Sequence, residues 1–346
     1  MPAALRRPVL LAALLVTTAC EIKNDENPRI SIIAPDDGAL NDSSSVLVQV
    51  DIDRFTLDPA TFPVDDDSNS EPFKGHWHLY LDRFFVDDQF TTSALLTNVD
   101  PGVHELAAEL VNQNHQYIHG TPVSFSFVEI PADAPGIVIT NPDNGTSLFS
   151  SSVELSVELE NLVLDTNLGS ANIAGRGHYH VAIDGGAAME AATTSLTLTG
   201  LAPISKSAES TTVTVELVHN DHTSFTVPVL DQATVSIPAT APRLQIDSPI
   251  ESATVGTAIA LTFTTANFDA TIDFATAVAE SNGQGHYHVL VDGVQLADDF
   301  ANFDPTSAIP PIPLAPGDHE VRLELRSNQH DPLSPPVVDI VHVTAE

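Results

Sequence analysis

Gly75-His76-Trp77-His78-Leu79-Tyr80-Leu81-Asp82 alternates, residue by residue, between two kinds of side chain. Successive side chains of a strand point to opposite faces, so Trp77, Leu79 and Leu81 share one face and His76, His78 and Asp82 the other. The stretch recurs as GHYHVAID at 177–184 and as GHYHVLVD at 285–292. Each time an aromatic and two aliphatic residues form the apolar face, and the histidine pair, His178 with His180 or His286 with His288, takes the opposite one. A period of two with one apolar face reads as a half-buried strand. The histidine face is therefore expected to meet solvent. The glycine ahead of each pair leaves room for a close approach of backbone or ligand.

Around these strands the whole chain repeats. Pro28-Arg29-Ile30, Pro135-Gly136-Ile137 and Pro242-Arg243-Leu244 open three segments, and each opening leads into a turn-rich stretch (APDDG, NPDNG, SPIES). Alternating strands follow at 46–52, 153–159 and 259–265, and the histidine strands come next. A unit of about one hundred residues is too long for a solenoid repeat and suits one small domain per copy. With short strands, recurrent turns and no helical stripe, the sequence predicts an all-β protein of three tandem immunoglobulin-like β-sandwich domains, at 28–134, 135–241 and 242–346. Proline-rich junctions at 130–136 and 237–243 read as short, stiff connections, giving a semi-rigid rod.

Near the end of each copy lies a second matched element: HELAAELVNQNH at 104–115, TTVTVELVHNDH at 211–222 and HEVRLELRSNQH at 319–330. Leu106, Ala108 and Leu110, with their counterparts, mark its apolar face, and the other face carries Glu109, Glu216 or Glu324 and ends on His115, His222 or His330. Each copy thus offers two imidazoles at i and i+2, a third imidazole at a fixed place on another strand, and a carboxylate. If the two strands are neighbours, three neutral imidazoles converge on one point, a donor set suited to Zn(II) or Cu(II). The candidate metal ligands are His76, His78 and His115; His178, His180 and His222; and His286, His288 and His330, with Glu109, Glu216 and Glu324 as additional candidates. His104 and His319 have Thr211 as their counterpart in the middle copy, so they fall outside the shared set. Asp82, Asp184 and Asp292 lead into turns, where Asp is ordinarily turn chemistry.

Composition narrows the function classes. Twelve Lys+Arg against 47 Asp+Glu give a formal charge of -35, which disfavours nucleic acid and anionic membrane surfaces and raises the local concentration of cations. No phosphate loop, nucleophile elbow or HExxH occurs, so an enzyme is not expected. Asp65-Asp66-Asp67-Ser68-Asn69-Ser70 lacks the spacing of a calcium loop and reads as a solvated acidic loop. Residues 1–20, with Arg6 and Arg7 ahead of an apolar run ending at Cys20, read as a lipoprotein-type signal peptide with Cys20 as the lipidated residue. Residues 21–27 then form a polar tether. That places the chain in a bacterial cell envelope, periplasmic or on the outer surface, touching the membrane through its N-terminal lipid alone; an envelope protein partner is left unidentified.

The segments GHWHLYLD with Pro101-Gly102-Val103-His104 and His115, and GHYHVLVD with Pro316-Gly317-Asp318-His319 and His330, resemble a family of small bacterial periplasmic domains of unknown function. The middle copy keeps GHYHVAID and His222 but lacks the Pro-Gly-x-His element. The resemblance covers roughly the second half of each copy. It implies an envelope domain with no assigned activity. Two readings follow: an envelope lipoprotein binding Zn or Cu through three histidines per repeat, or a structural or adhesive rod of Ig-like repeats with no metal role.

Overall fold

The structure is a computed structural model and describes residues 27–59, 73–202, 204, 209–269, 284–296, 309 and 311–346. The signal peptide, Cys20, most of the tether and the acidic loop at 65–70 lie outside the described residues. Among those described there is no helix, and none is long and apolar enough to cross a membrane.

The chain folds as three tandem immunoglobulin-like β-sandwiches. In the first, one sheet joins Arg29–Ala34, Val46–Asp53 and Ser93–Leu96. The facing sheet runs Ala39–Leu40, Ser124–Ile130, Gly102–Asn112, Lys74–Leu81, Thr56–Leu57, and the short strand Phe84–Gln89 also pairs with Lys74–Leu81. This three-strand sheet against a sheet holding the histidine and late strands is the Ig arrangement. The second repeat reproduces it with Gly136–Asn141, Val153–Glu160 and Ser195–Leu198 facing a sheet built on Arg176–Ile183, Glu209–Val218 and Leu230–Ile237. In the third, Arg243–Ser248 pairs with Thr262–Ala266, and the larger sheet centres on His286–Val291, Gly317–Arg326 and Val338–Ala345.

Three separate hydrophobic cores correspond to these units, running from Ile30 to Ala134, from Ile137 to Ala241 and from Leu244 to Ala345. Each is made of the alternate residues that the strand period selects. Trp77, Tyr179 and Tyr287 are almost wholly buried, with Leu79, Val181 and Val289 beside them. Full burial of such aliphatic side chains contributes about 1.5–3 kcal/mol apiece. The aromatic polar atoms are also placed alike: Trp77 Nε1 donates to the Thr91 carbonyl at 2.8 Å and the Tyr179 hydroxyl to the Thr193 carbonyl at 2.7 Å. The opening strand of every repeat breaks register at one place, between Ile32 and Ala34, Ile139 and Asn141, or Ile246 and Ser248. A cis proline follows each break, at Pro35, Pro142 and Pro249.

The junctions are hydrogen-bonded. Asn161 Nδ2 donates to the carbonyls of Ala132 and Ala134, and Asn267 Nδ2 does the same to Ala239 and Ala241. Both asparagines occupy the left-handed region, with φ of 53° and 55°, where Asn is tolerated. Serine triplets at matching positions, 43–45 and 150–152, are buried against the next repeat. Ser44 N donates to the Pro135 carbonyl, while Ser150 and Ser152 hydroxyls donate to the Pro336 carbonyl.

Candidate metal centre

The histidine strand and the late strand are antiparallel neighbours in all three repeats. His76 faces Val111 and His78 faces Glu109; His178 faces Val218 and His180 faces Glu216; His286 faces Arg326 and His288 faces Glu324. Gly75, Gly177 and Gly285 settle which close approach the pre-histidine glycine serves. A Cβ there would overlap the carbonyl oxygen of Val111, Val218 or Arg326, so glycine admits the late strand's backbone.

After the late strand the chain makes one turn three times. His115 N donates to the Asn112 carbonyl, His222 N to His219, and His330 N to Ser327, at 2.9–3.0 Å. The turning residue is a histidine with φ of 58°, 65° and 69°. His visits this region more readily than most residues, yet the conformation still costs on the order of 1 kcal/mol. The turn is braced from below by an acid next to a short strand: Gln113 Nε2 donates to Asp58 at 3.0 Å and Asn220 Nδ2 to Asp165 at 3.1 Å. In the second repeat the loop at 165–172 is further tied to it, through Gly169 N to the Asn220 carbonyl and Asn172 Nδ2 to Asp221.

The turn throws the third imidazole back over the pair. Ring centroids of the triads are 5.2, 4.6 and 5.6 Å apart in the first repeat, 5.2, 4.8 and 5.7 Å in the second, and 4.9, 4.5 and 5.6 Å in the third. One ligand atom from each member lies within 4.8 Å of the others in every triad. Nitrogen–nitrogen distances are 3.4 Å for His78 Nε2 to His115 Nδ1, 3.1 Å for His178 Nε2 to His222 Nδ1, and 3.4 Å for His288 Nε2 to His330 Nδ1.

Two expectations need correction. The histidine face is not solvated: His76 and His178 are fully buried, and His78, His286 and His288 nearly so. In the first repeat Phe90 and Phe85 cover the pair, with ring centroids 5.0 Å from His76 and 5.1 Å from His78. The strand period reports that a face differs from the core, and says nothing of what folds over it. His180 is half-buried, and the third imidazole keeps exposure in every repeat, 36% for the His115 side chain and 35% for His222. The second correction concerns Glu109, Glu216 and Glu324, which belong to none of the three groups. Glu324 bonds Arg326 at 2.7 Å instead, and burial raises the Glu109 carboxyl.

A carboxylate that the sequence reading passed over takes their place. Asp88, on Phe84–Gln89, lies directly opposite His78 and joins the first group. Glu190 stands opposite His180 in the same way, with Oε1 3.5 Å from His222 Nδ1. The signal was present: an acid stands ten residues after the second histidine of each pair, as Asp88, Glu190 and Asp298. Asp298 lies outside the described residues.

The electrostatics suit neutral imidazole donors. Burial lowers His76 to about 4 against an upward pull from Asp88, burial and then the neighbouring His288, His330 and Arg326 lower His286 to about 4, and burial lowers His78, His178 and His288. His76 Nε2 and Nδ1, His178 Nδ1 and His180 Nε2 are buried without a hydrogen bond. Such buried orphan atoms are rare and call for an explanation. His78 Nδ1 lies 3.3 Å from the Tyr80 hydroxyl, which orients the ring with Nε2 toward the cluster. His104 and His319 stand apart: they bond Asp82 and Asp292 at 2.7 Å, while Asp82, Asp184 and Asp292 each accept a backbone N–H from the late strand. These aspartates are turn anchors.

No family model matches the chain, and no curated protein matches it. Among solved structures it is similar to the fibronectin(III)-like modules of Clostridium thermocellum CbhA, at 13% identity over 61% of this chain and 94% of that one, with a TM-score of 0.22. Mouse cadherin-23 EC22-24 is 13% identical over 93% and 99%, with a TM-score of 0.19. The tetra-tandem repeat in the extending region of a large adhesion protein is 14% identical over 92% and 74%, at 0.18. The sandwich assignment rests on the strand pairing and cores described above.

Proposed function

We propose that this chain is an envelope protein that binds one divalent transition metal in each of its three Ig-like repeats, through His76, His78 and His115, His178, His180 and His222, and His286, His288 and His330. The observation that carries the reading is the recurrence of one converging triad, with the same ring spacings and the same left-handed third histidine, in three repeats. Passive duplication preserves residue types more readily than buried, unbonded donor atoms, which cost stability unless something occupies them. Zn(II) and Cu(II) both accept three imidazoles. The reading includes lipid attachment at Cys20 with removal of the residues ahead of it, and the domains held outside the cytoplasm. The role is binding: metal storage, delivery, or metal-dependent stiffening of the repeats.

Metal analysis of untagged full-length protein is expected to return up to three equivalents, and the double substitution His178→Ala with His180→Ala is expected to remove one. A metal-free protein with unchanged behaviour after that substitution sinks the reading. A second reading, a structural or adhesive rod, is favoured by the hydrogen-bonded junctions at Asn161 and Asn267 and the buried serine triplets. That outcome of the metal analysis would leave it standing alone.

A further inference from the structure

We propose that the triads of the first two repeats are closed by a fourth ligand, the carboxylate ten residues after the second histidine of the pair (Asp88 or Glu190), making a tetrahedral N3O site that selects Zn(II). The proposal rests on the metal reading above and adds a ligand and a geometry to it. The first repeat shows the arrangement. Asp88 Oδ1 lies 3.4 Å from His76 Nε2, 3.1 Å from His78 Nε2 and 3.8 Å from His115 Nδ1. His78 Nε2 and His115 Nδ1 are 3.4 Å apart.

A tetrahedral ion with bonds of about 2.05 Å separates its ligands by about 3.4 Å. A square-planar ion with similar bonds pairs edges of about 2.9 Å with diagonals of about 4.1 Å. The four observed distances gather round the tetrahedral value. Asp88 Oδ1 and His76 Nε2 are buried at this separation yet make no hydrogen bond. Their lone pairs thus face a common centre better than they face each other. The carboxylate also offsets charge: one anion beside a dication leaves less net charge in a site walled by Phe85 and Phe90.

The second repeat carries the same register. Glu190 pairs with His180 as Asp88 pairs with His78; its side chain is 47% exposed, with Oε1 3.5 Å from His222 Nδ1 but outside the second group as it stands, so metal binding would draw it in. The residues just before the acids, Asp87 and Met189, differ, so position rather than local acidity is shared.

The test titrates full-length protein with Zn(II) against a chelator of known affinity, and records the visible spectrum after Co(II) replaces Zn(II). Asp88→Asn is expected to weaken one of three equivalents by about 100-fold, the upper end of what loss of an outer-shell partner costs. It should also reduce the intense visible bands of tetrahedral Co(II). Glu190→Gln should do the same to a second equivalent, and Asp87→Asn, on the exposed side of the same strand, to none. Circular dichroism checks that each variant keeps its β signal; if Asp88→Asn unfolds, Glu190→Gln decides. Wild-type affinity and spectrum in both acid variants, with one equivalent still lost in His76→Ala/His78→Ala, overturn the fourth ligand and leave the triads. Absence of metal from the wild type overturns both readings.

Discussion

His222 concentrates the physics of the site at the scale of one residue. Its backbone is held at φ 65° by the His219 carbonyl and the Asn220–Asp165 bond, and its ring reaches His178 Nε2 at 3.1 Å. Gly pays nothing for the left-handed region, whereas His does. His222→Gly is therefore expected to leave metal-free stability within about 1 kcal/mol of the wild type, while removing one metal equivalent. Denaturant unfolding in chelator, beside a metal count, checks both halves. A loss of several kcal/mol without metal would mean that the ring is a packing residue. At the same scale, the sequence named the nine histidines from their matched positions. It misjudged the acid, because Glu109 and Asp88 are both cross-strand neighbours of His78, one on each flank, and linear spacing does not say which flank the third histidine leans over.

At the scale of elements, the histidine strand is locked to the late strand at its far end by the Asp82–His104 and Asp292–His319 pairs, and by Asp184 with the Thr212 N–H in the middle repeat. Burial alone would pull His104 down, but the Asp82 carboxylate and the Asp100 carbonyl outweigh it and raise it above 6.5. Asp82 is held below 3.8 despite its own desolvation, by the Glu105 N–H and by His104. The raised His stabilises the fold fully below 6.5 and loses that contribution as pH rises through its folded value. The lowered Asp contributes above 3.8 and loses it as pH falls through its folded value. The pair is thus worth most between about pH 4 and 6.5. Because Asp82 is 44% exposed, the contribution is about 1 kcal/mol or less. The stability difference between wild type and His104→Ala is expected to be largest near pH 5 and to shrink by pH 9. A difference that grows toward pH 9 contradicts the assignment.

At the scale of the whole molecule, three cores and three triads are linked by junctions that bury serines and pin linker carbonyls. Each triad joins two strands of one sheet, so metal should stiffen the sandwich it belongs to. Free metal at about a thousand times the dissociation constant stabilises a domain by about 4 kcal/mol. For units of this size that amounts to a rise of roughly 15–30 °C in melting temperature. Calorimetry with and without chelator checks the expectation, and superimposable melts contradict it. The charge of -35 predicts that metal uptake is faster at low salt, since the surface field that gathers cations is screened beyond about 10 Å at 0.1 M.

The sequence by itself determined the tandem repeat, the strand character of its elements, the core face of each strand and the matched histidines. Those follow from a local period of two and from recurrence, both readable along one dimension. Only the tertiary structure decided that the histidine face is covered, that glycine makes room for backbone, that Asp88 rather than Glu109 joins the imidazoles of the first repeat, and that Glu190 reaches His222. Burial and convergence depend on which strands lie side by side and what the loops cover. A strand carries no local record of its neighbours on either flank.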